Sequence, residues 1–175
     1  MVNFKKQSSK SQKSQFRQPP QQSTFSTPST ISTFLPSNMK IGIIGSMQFT
    51  EKMAELCDQL TGLGHETFMT NLAEAFVGKS DEEKEAIKLQ QKAELDVFKE
   101  FWDLMQGADA VLVANFEKNN IPNYIGANTF LEMGFAKVLG QKIFCLNPLP
   151  DNNYLKTELE AMRPIVIDGD LTKIK

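Results

Sequence analysis

The run Ala110-Val111-Leu112-Val113-Ala114 contains no polar residue, and it limits the fold more than any other stretch of the chain. A strand with one face in water alternates polar and apolar side chains, whereas a strand without alternation is covered on both faces. Two further runs of this kind, Lys40-Ile41-Gly42-Ile43-Ile44-Gly45 and Lys142-Ile143-Phe144-Cys145-Leu146, stand on either side of it in the chain. Strands like these belong in a parallel sheet between layers of helix.

The segments between the runs supply those helices. Residues 50–62 carry Met53, Leu56, Cys57 and Leu60 at helical spacing, with Thr50 as N-cap and Gly62 and Gly64 as stops. Thr67-Phe68-Met69 reads as a second strand. Residues 80–106 read as one long helix starting at Ser80 and Asp81, with Phe98, Phe101, Trp102 and Met105 apolar towards its end. A polar loop at 115–127 precedes a helix whose core stripe is read as Leu131, Phe135, Val138 and Leu139. A helix near 153–162 and a strand Pro164-Ile165-Val166-Ile167 complete the chain. Regular alternation of this sort specifies an α/β fold: a single doubly wound, flavodoxin- or Rossmann-like, five-stranded parallel sheet with helices on both faces. Ligands of such sheets bind beyond the carboxyl ends of the strands, so the loops 45–49, 115–128 and 147–153 are expected to frame one cleft.

The first 38 of the 175 residues differ in kind. They are rich in Ser, Gln, Thr and Pro, lack Asp and Glu, and hold Lys5, Lys6, Lys10, Lys13 and Arg17. Without apolar periodicity this segment reads as a disordered leader preceding a domain at 39–175, with Met39 as a candidate natural start. The domain then has 14 basic against 21 acidic residues, a net charge of −7. That balance argues against nucleic-acid polymers and anionic membranes as partners, and no apolar run approaches the roughly 20 residues of a membrane span. Cys57 and Cys145 are isolated and His65 is the single histidine, so no disulfide framework or metal site is expected, and a cytoplasmic setting fits.

Glu132 is the residue of greatest chemical interest. It lies on an apolar helix in line with Asn128 and Ala136, four residues to either side. Either it faces a ligand cleft, where a desolvated carboxyl shifts its pKa, or it sits at the helix edge beside Lys137 in water. Gly45-Ser46-Met47-Gln48 follows the first strand, where exposed N–H groups can hold an anion or a hydroxyl, although a tight turn explains it as well. Asp109, before the third strand, is a turn or capping residue or an acid. Asn115, after that strand, is placed to read a base edge or hydroxyl. Asn123 lies in a loop, 119–124, of the length and position of a substrate loop, or of a plain connection. His65 reads as structural, the acidic start of the 80–106 helix as solvated, and Trp102 with its Phe neighbours as core or subunit interface.

In this order the motifs resemble the nucleoside 2-deoxyribosyltransferase superfamily, which includes the 2'-deoxynucleoside 5'-phosphate N-hydrolases. The likeness covers 39–175 and rests on Ile43-Ile44-Gly45-Ser46, Ala108-Asp109-Ala110-Val111-Leu112-Val113 and Thr129-Phe130-Leu131-Glu132-Met133-Gly134-Phe135-Ala136. The last is similar to the family's T-x-x-E-x-G-x-A stretch. Gly126-Ala127-Asn128-Thr129 stands where the transferases carry Asp-x-Gly-Thr, so that Asp is absent.

The resemblance implies attack by Glu132 on a nucleoside C1', a covalent glycosyl-enzyme, and its resolution by water or a second base. Gly45, Ser46 and Met47 would hold the sugar or a 5'-phosphate, with Asn115, Asn123, Asn128 and Thr129 as further substrate contacts. Asp109, a loop residue or water would protonate the leaving base. The partner implied is a nucleoside or nucleotide, the assembly a homo-oligomer, dimer or higher, built on the aromatic helix at 98–105. The alternative is a nucleotide-binding or sensing module that keeps the fold without catalysis.

Overall fold

The computed structural model describes residues 38–151 and 154–175. The leader expectation for the first 38 residues, apart from Asn38, lies outside them. The described residues form β1 (Lys40–Gly45), α1 (Thr50–Gly62), β2 (Glu66–Phe68), α2 (Asp81–Glu94), α3 (Val97–Leu104), β3 (Ala110–Ala114), α4 (Ala127–Val138), β4 (Lys142–Cys145), α5 (Lys156–Met162) and β5 (Ile165–Val166). The five strands are all parallel, in the order β2-β1-β3-β4-β5, as the apolar runs specify.

The pleat sorts each run between two cores. Ile41, Ile43, Ala110, Leu112 and Phe144 face α1, which contributes Met53, Leu56 and Leu60. Ile44, Val111, Val113, Ile143 and Cys145 face the opposite layer, where Phe101, Met133, Ala136 and Leu159 come from α3, α4 and α5. Every residue of β3 is buried, the physical reason its sequence shows no alternation. No helix among the described residues is long and apolar enough to cross a membrane.

Three sequence expectations need correction. The pattern over 80–106 is two helices: Leu95 is extended (φ −123°, ψ 150°), and Asp96 caps α3 by accepting from the Lys99 N–H. Ser80 does start α2, in a capping box with Glu83. The core face of α4 is Thr129, Met133 and Ala136, while Leu131 is 45% and Val138 81% exposed. Thr50 is the first residue of α1 instead of its cap; its Oγ1 donates to the Met47 carbonyl at 2.6 Å. A 3-10 helix at Asn71–Phe76, capped by the Thr70 hydroxyl, was not anticipated.

Candidate active site

In the order 2-1-3-4-5 the connections leaving β1 and β3 diverge, and the crevice between their carboxyl ends is where such sheets take ligands. A cavity of about 250 Å³ lies there. Gly45, Ser46 and Met47 line it from the end of β1, and Asn128, Thr129 and Glu132 from the first turns of α4. A side chain at position 45 would crowd its neighbours, because a Cβ would lie 2.9 Å from Met53 Sδ and 3.2 Å from the Ala114 carbonyl oxygen.

Glu132 points into this cavity because the core face of α4 is taken by Thr129, Met133 and Ala136, one step around the helix. Burial, reinforced by the negative charge of Glu100 and opposed by Lys92, pushes its carboxyl up to about 8. Glu100, on α3, accepts from Thr70 Oγ1 at 2.8 Å, the Asn71 N–H at 2.9 Å and Asn71 Nδ2 at 3.0 Å. Those three bonds tie the 3-10 turn to α3 and hold a carboxylate near the cavity wall. Lys92 Nζ donates to Asn128 Oδ1 at 2.9 Å.

The mouth of the cavity is basic. Lys88 and Lys92 reach it from α2, and Lys118 from the loop after β3. Lys118 Nζ donates to Ser46 Oγ at 2.9 Å and lies 5.4 Å from the centroid of the Tyr124 ring. Burial first, then the charge of Lys88, lowers its pKa below the ordinary lysine value. The loop that carries it is a small hairpin. Lys118 and Ile121 exchange backbone hydrogen bonds of 3.1 and 2.9 Å, and Asn119 and Asn120 between them have φ of 52° and 59°, the two-residue turn with positive φ at both positions. Asn123 has a φ of 54° as well. The asparagines of this loop serve its backbone, since Asn tolerates the left-handed region better than most residues.

Three residues read from the sequence as site residues stand elsewhere. Asp109 is at the amino end of β3, where its carboxylate accepts from the Lys40 N–H at 2.8 Å and its backbone bridges β1 and β4. It lies at the opposite end of the strands from the cavity that Glu132 lines, and it does not reach that cavity. Asn115 is fully buried; its Nδ2 donates to the carbonyls of Asn147 and Pro148 at 3.0 and 2.9 Å, and its Oδ1 accepts from the Asn147 N–H at 2.9 Å. That amide is spent on tying β3 to the loop after β4. Asn123 does not line the cavity, whereas its neighbour Tyr124 does. None of the described residues of the 147–153 loop lines it either; the 3-10 turn supplies that wall through Thr70, Leu72 and Phe76.

His65 is structural, as its sequence position indicated: it is buried and its Nδ1 accepts from the Met39 N–H at 3.3 Å. Sequence reading passed over Lys88, Lys92, Glu100 and Lys118. A signal for the first two was present in Lys84, Lys88 and Lys92, spaced by four on one helix face. No protein-family model matches the chain, and no curated protein or solved structure is significantly similar to it.

Proposed function

We propose that the chain cleaves or transfers the N-glycosidic bond of a nucleoside or nucleoside 5'-monophosphate, with Glu132 as nucleophile. The observation that carries the reading is a carboxyl facing a cavity at the switch point of the sheet, with its pKa raised to about 8 by burial and by Glu100. A carboxyl in a cleft whose pKa is shifted by burial and by a specific neighbouring charge has the character of a catalytic group. The likeness of Thr129–Ala136 to the T-x-x-E-x-G-x-A stretch supports the same role.

In this chemistry ionised Glu132 attacks C1' as the C1'–N bond breaks, and the bonding pair leaves on the base nitrogen, which takes a proton from water. A glycosyl ester of Glu132 results. Water, or a second base, then attacks C1', freeing the carboxylate with net retention. Val97, Phe101 and Phe76 give the cavity an apolar wall suited to a base. Lys88 and Lys118 stand where a 5'-phosphate would gain two cations beside the Ser46 hydroxyl. No metal or organic cofactor enters these steps.

A chromatographic assay of deoxynucleosides, ribonucleosides and their monophosphates, with and without free adenine, tests the reading. Base release without acceptor identifies a hydrolase, and exchange only with acceptor identifies a transferase; either must vanish in Glu132→Gln. Turnover that survives that substitution overturns the proposal. One observation favours the alternative of a non-catalytic binding module: a carboxyl with pKa about 8 is mostly neutral at pH 7, and a neutral carboxyl donates a hydrogen bond. Thermal stabilisation by a nucleotide without its consumption would decide for that module.

The same reading includes a homo-oligomer. Phe98 and Leu131 are 42% and 45% exposed on α3 and α4, beside the edge-to-face pair Trp102–Phe135, an apolar face suited to a second copy. Sedimentation of the full chain, with Phe98→Glu as the disrupting variant, tests it. Cys57 and Cys145 are both free thiols, which suits the reducing conditions of a cytoplasm.

A further inference from the structure

We infer that the substrate of this site continues past its 5'-phosphate, through a second phosphate, into a second, hydroxyl-bearing sugar, as a dinucleotide joined through its phosphates does. The inference rests on the N-glycosidic reading for which end is cleaved, while the geometry of the far end stands independently of it.

A second cavity, of about 430 Å³, adjoins the first. Ser46, Met47, Lys88, Lys118 and Tyr124 line both, so the two form one cleft with a waist. Lys88, Lys118 and Ser46 all line that waist, where Lys118 Nζ donates to Ser46 Oγ at 2.9 Å. Lys84 adds nothing to them, because its Nζ is taken by Glu51 at 2.6 Å and by the Gln48 carbonyl at 3.2 Å. Lys88 is paired with Glu85 on the surface, an exposed contact that an anion can displace at small cost.

Beyond the waist the lining changes character. Asp81 and Glu85 bring carboxylates, and Gln48 and Asn119 bring amides or carbonyls. Carboxylates repel further ionised phosphates but accept hydrogen bonds from sugar hydroxyls. A nucleoside triphosphate would therefore press its terminal charges against Asp81 and Glu85. A monophosphate would leave the second lobe to water. A pyrophosphate diester carries two negative charges, matching the two lysines at the waist, and delivers a neutral, hydroxyl-rich sugar to the acceptors beyond.

The test is calorimetric titration of full-length Glu132→Gln, which keeps ligands intact, with AMP, ATP and diadenosine 5',5'-diphosphate, and with their guanine counterparts. The dinucleotide is expected to bind about tenfold or more tightly than the monophosphate. That preference should shrink to less than about threefold in Asp81→Ala and also in Asn119→Gly, where glycine keeps the positive φ. Equal affinity for mononucleotide and dinucleotide, tightest binding of ATP, or no binding at all overturns the inference. Base release by the unaltered chain separates the two claims. Glu132-dependent cleavage of AMP or GMP without any dinucleotide preference sinks the extended site alone. Preferential dinucleotide binding with no base release sinks the glycosidic reading alone.

Discussion

Lys92 Nζ donates to Asn128 Oδ1 at 2.9 Å, a bond that ties α2 to α4 one helical turn before Glu132. It brings a cation to the face of α4 that carries Glu132, while Glu100 on α3 sets an anion against the same carboxyl. The proton affinity of Glu132 is thus set by burial and by two charges, one supplied by α2 and one by α3.

A nucleophile must be ionised to attack. The rate of base release should therefore rise with pH and level off above about 8, the value to which burial and Glu100 push Glu132. Glu132→Gln should reduce it by roughly a hundredfold or more. The pH profile of kcat/KM, which reports the ligand-free enzyme, measures both, and a flat profile between pH 6 and 9 would exclude Glu132 as the titrating nucleophile.

Glu100→Gln should move that midpoint down, because it removes the neighbouring negative charge. Lys92→Met should move it up by removing the opposing positive one. Each shift is expected to be about half a unit or more. NMR titration of the Glu132 carboxyl carbon reads them without any substrate, and shifts in the reverse directions would refute the assignment of charges.

Stability should carry the same signature. Folding raises the Glu132 pKa from 4.5 to about 8, so between those values the folded chain holds a proton that the unfolded chain has lost. Native stability from this group is greatest below the lower value and falls as pH rises to the upper one. Urea melts at pH 5 and pH 9 should differ by a few kcal/mol more in the natural chain than in Glu132→Gln, on the order-of-magnitude scale of 1.4 kcal/mol per pKa unit. Equal pH dependence in the two chains would contradict a buried, perturbed Glu132.

Asn115→Ala tests the corrected role of that residue. Removing the amide strands a backbone N–H and two carbonyls now satisfied by it, at a cost of about 2–3 kcal/mol. Chemical denaturation should show the loss at every pH. Retained stability with weakened ligand binding would return Asn115 to the site.

Some elements were legible because their signals are local. The strands at Lys40–Gly45 and Ala110–Ala114 were read residue for residue, since a run without polar side chains has one low-energy fate, burial on both faces. The start of α2 was equally legible in Ser80 and the acidic residues after it. The break at Leu95–Asp96 was not, because apolar spacing continues through it. Its position follows from α3 turning to bring Glu100 against Thr70 and Asn71, contacts some thirty residues apart in sequence.

The helix of Glu132 shows the division most sharply. Its residues specify an apolar helix bearing one carboxylate, but a helix apolar on most sides does not say which side is core. Leu131 and Val138 looked like core and lie outside, while Thr129, Met133 and Ala136 pack inward. The sheet, the alternation of layers and the presence of Glu132 near the carboxyl ends of the strands are legible in local patterns along the chain. Packing alone sets Glu132 against a cavity, brings Glu100 and Lys92 to bias its proton, lines that cavity with Lys88, Lys118 and Ser46, and makes Asp109 and Asn115 girders. Periodicity is a property of neighbours along the chain, whereas charge environment and desolvation depend on atoms brought close from distant segments.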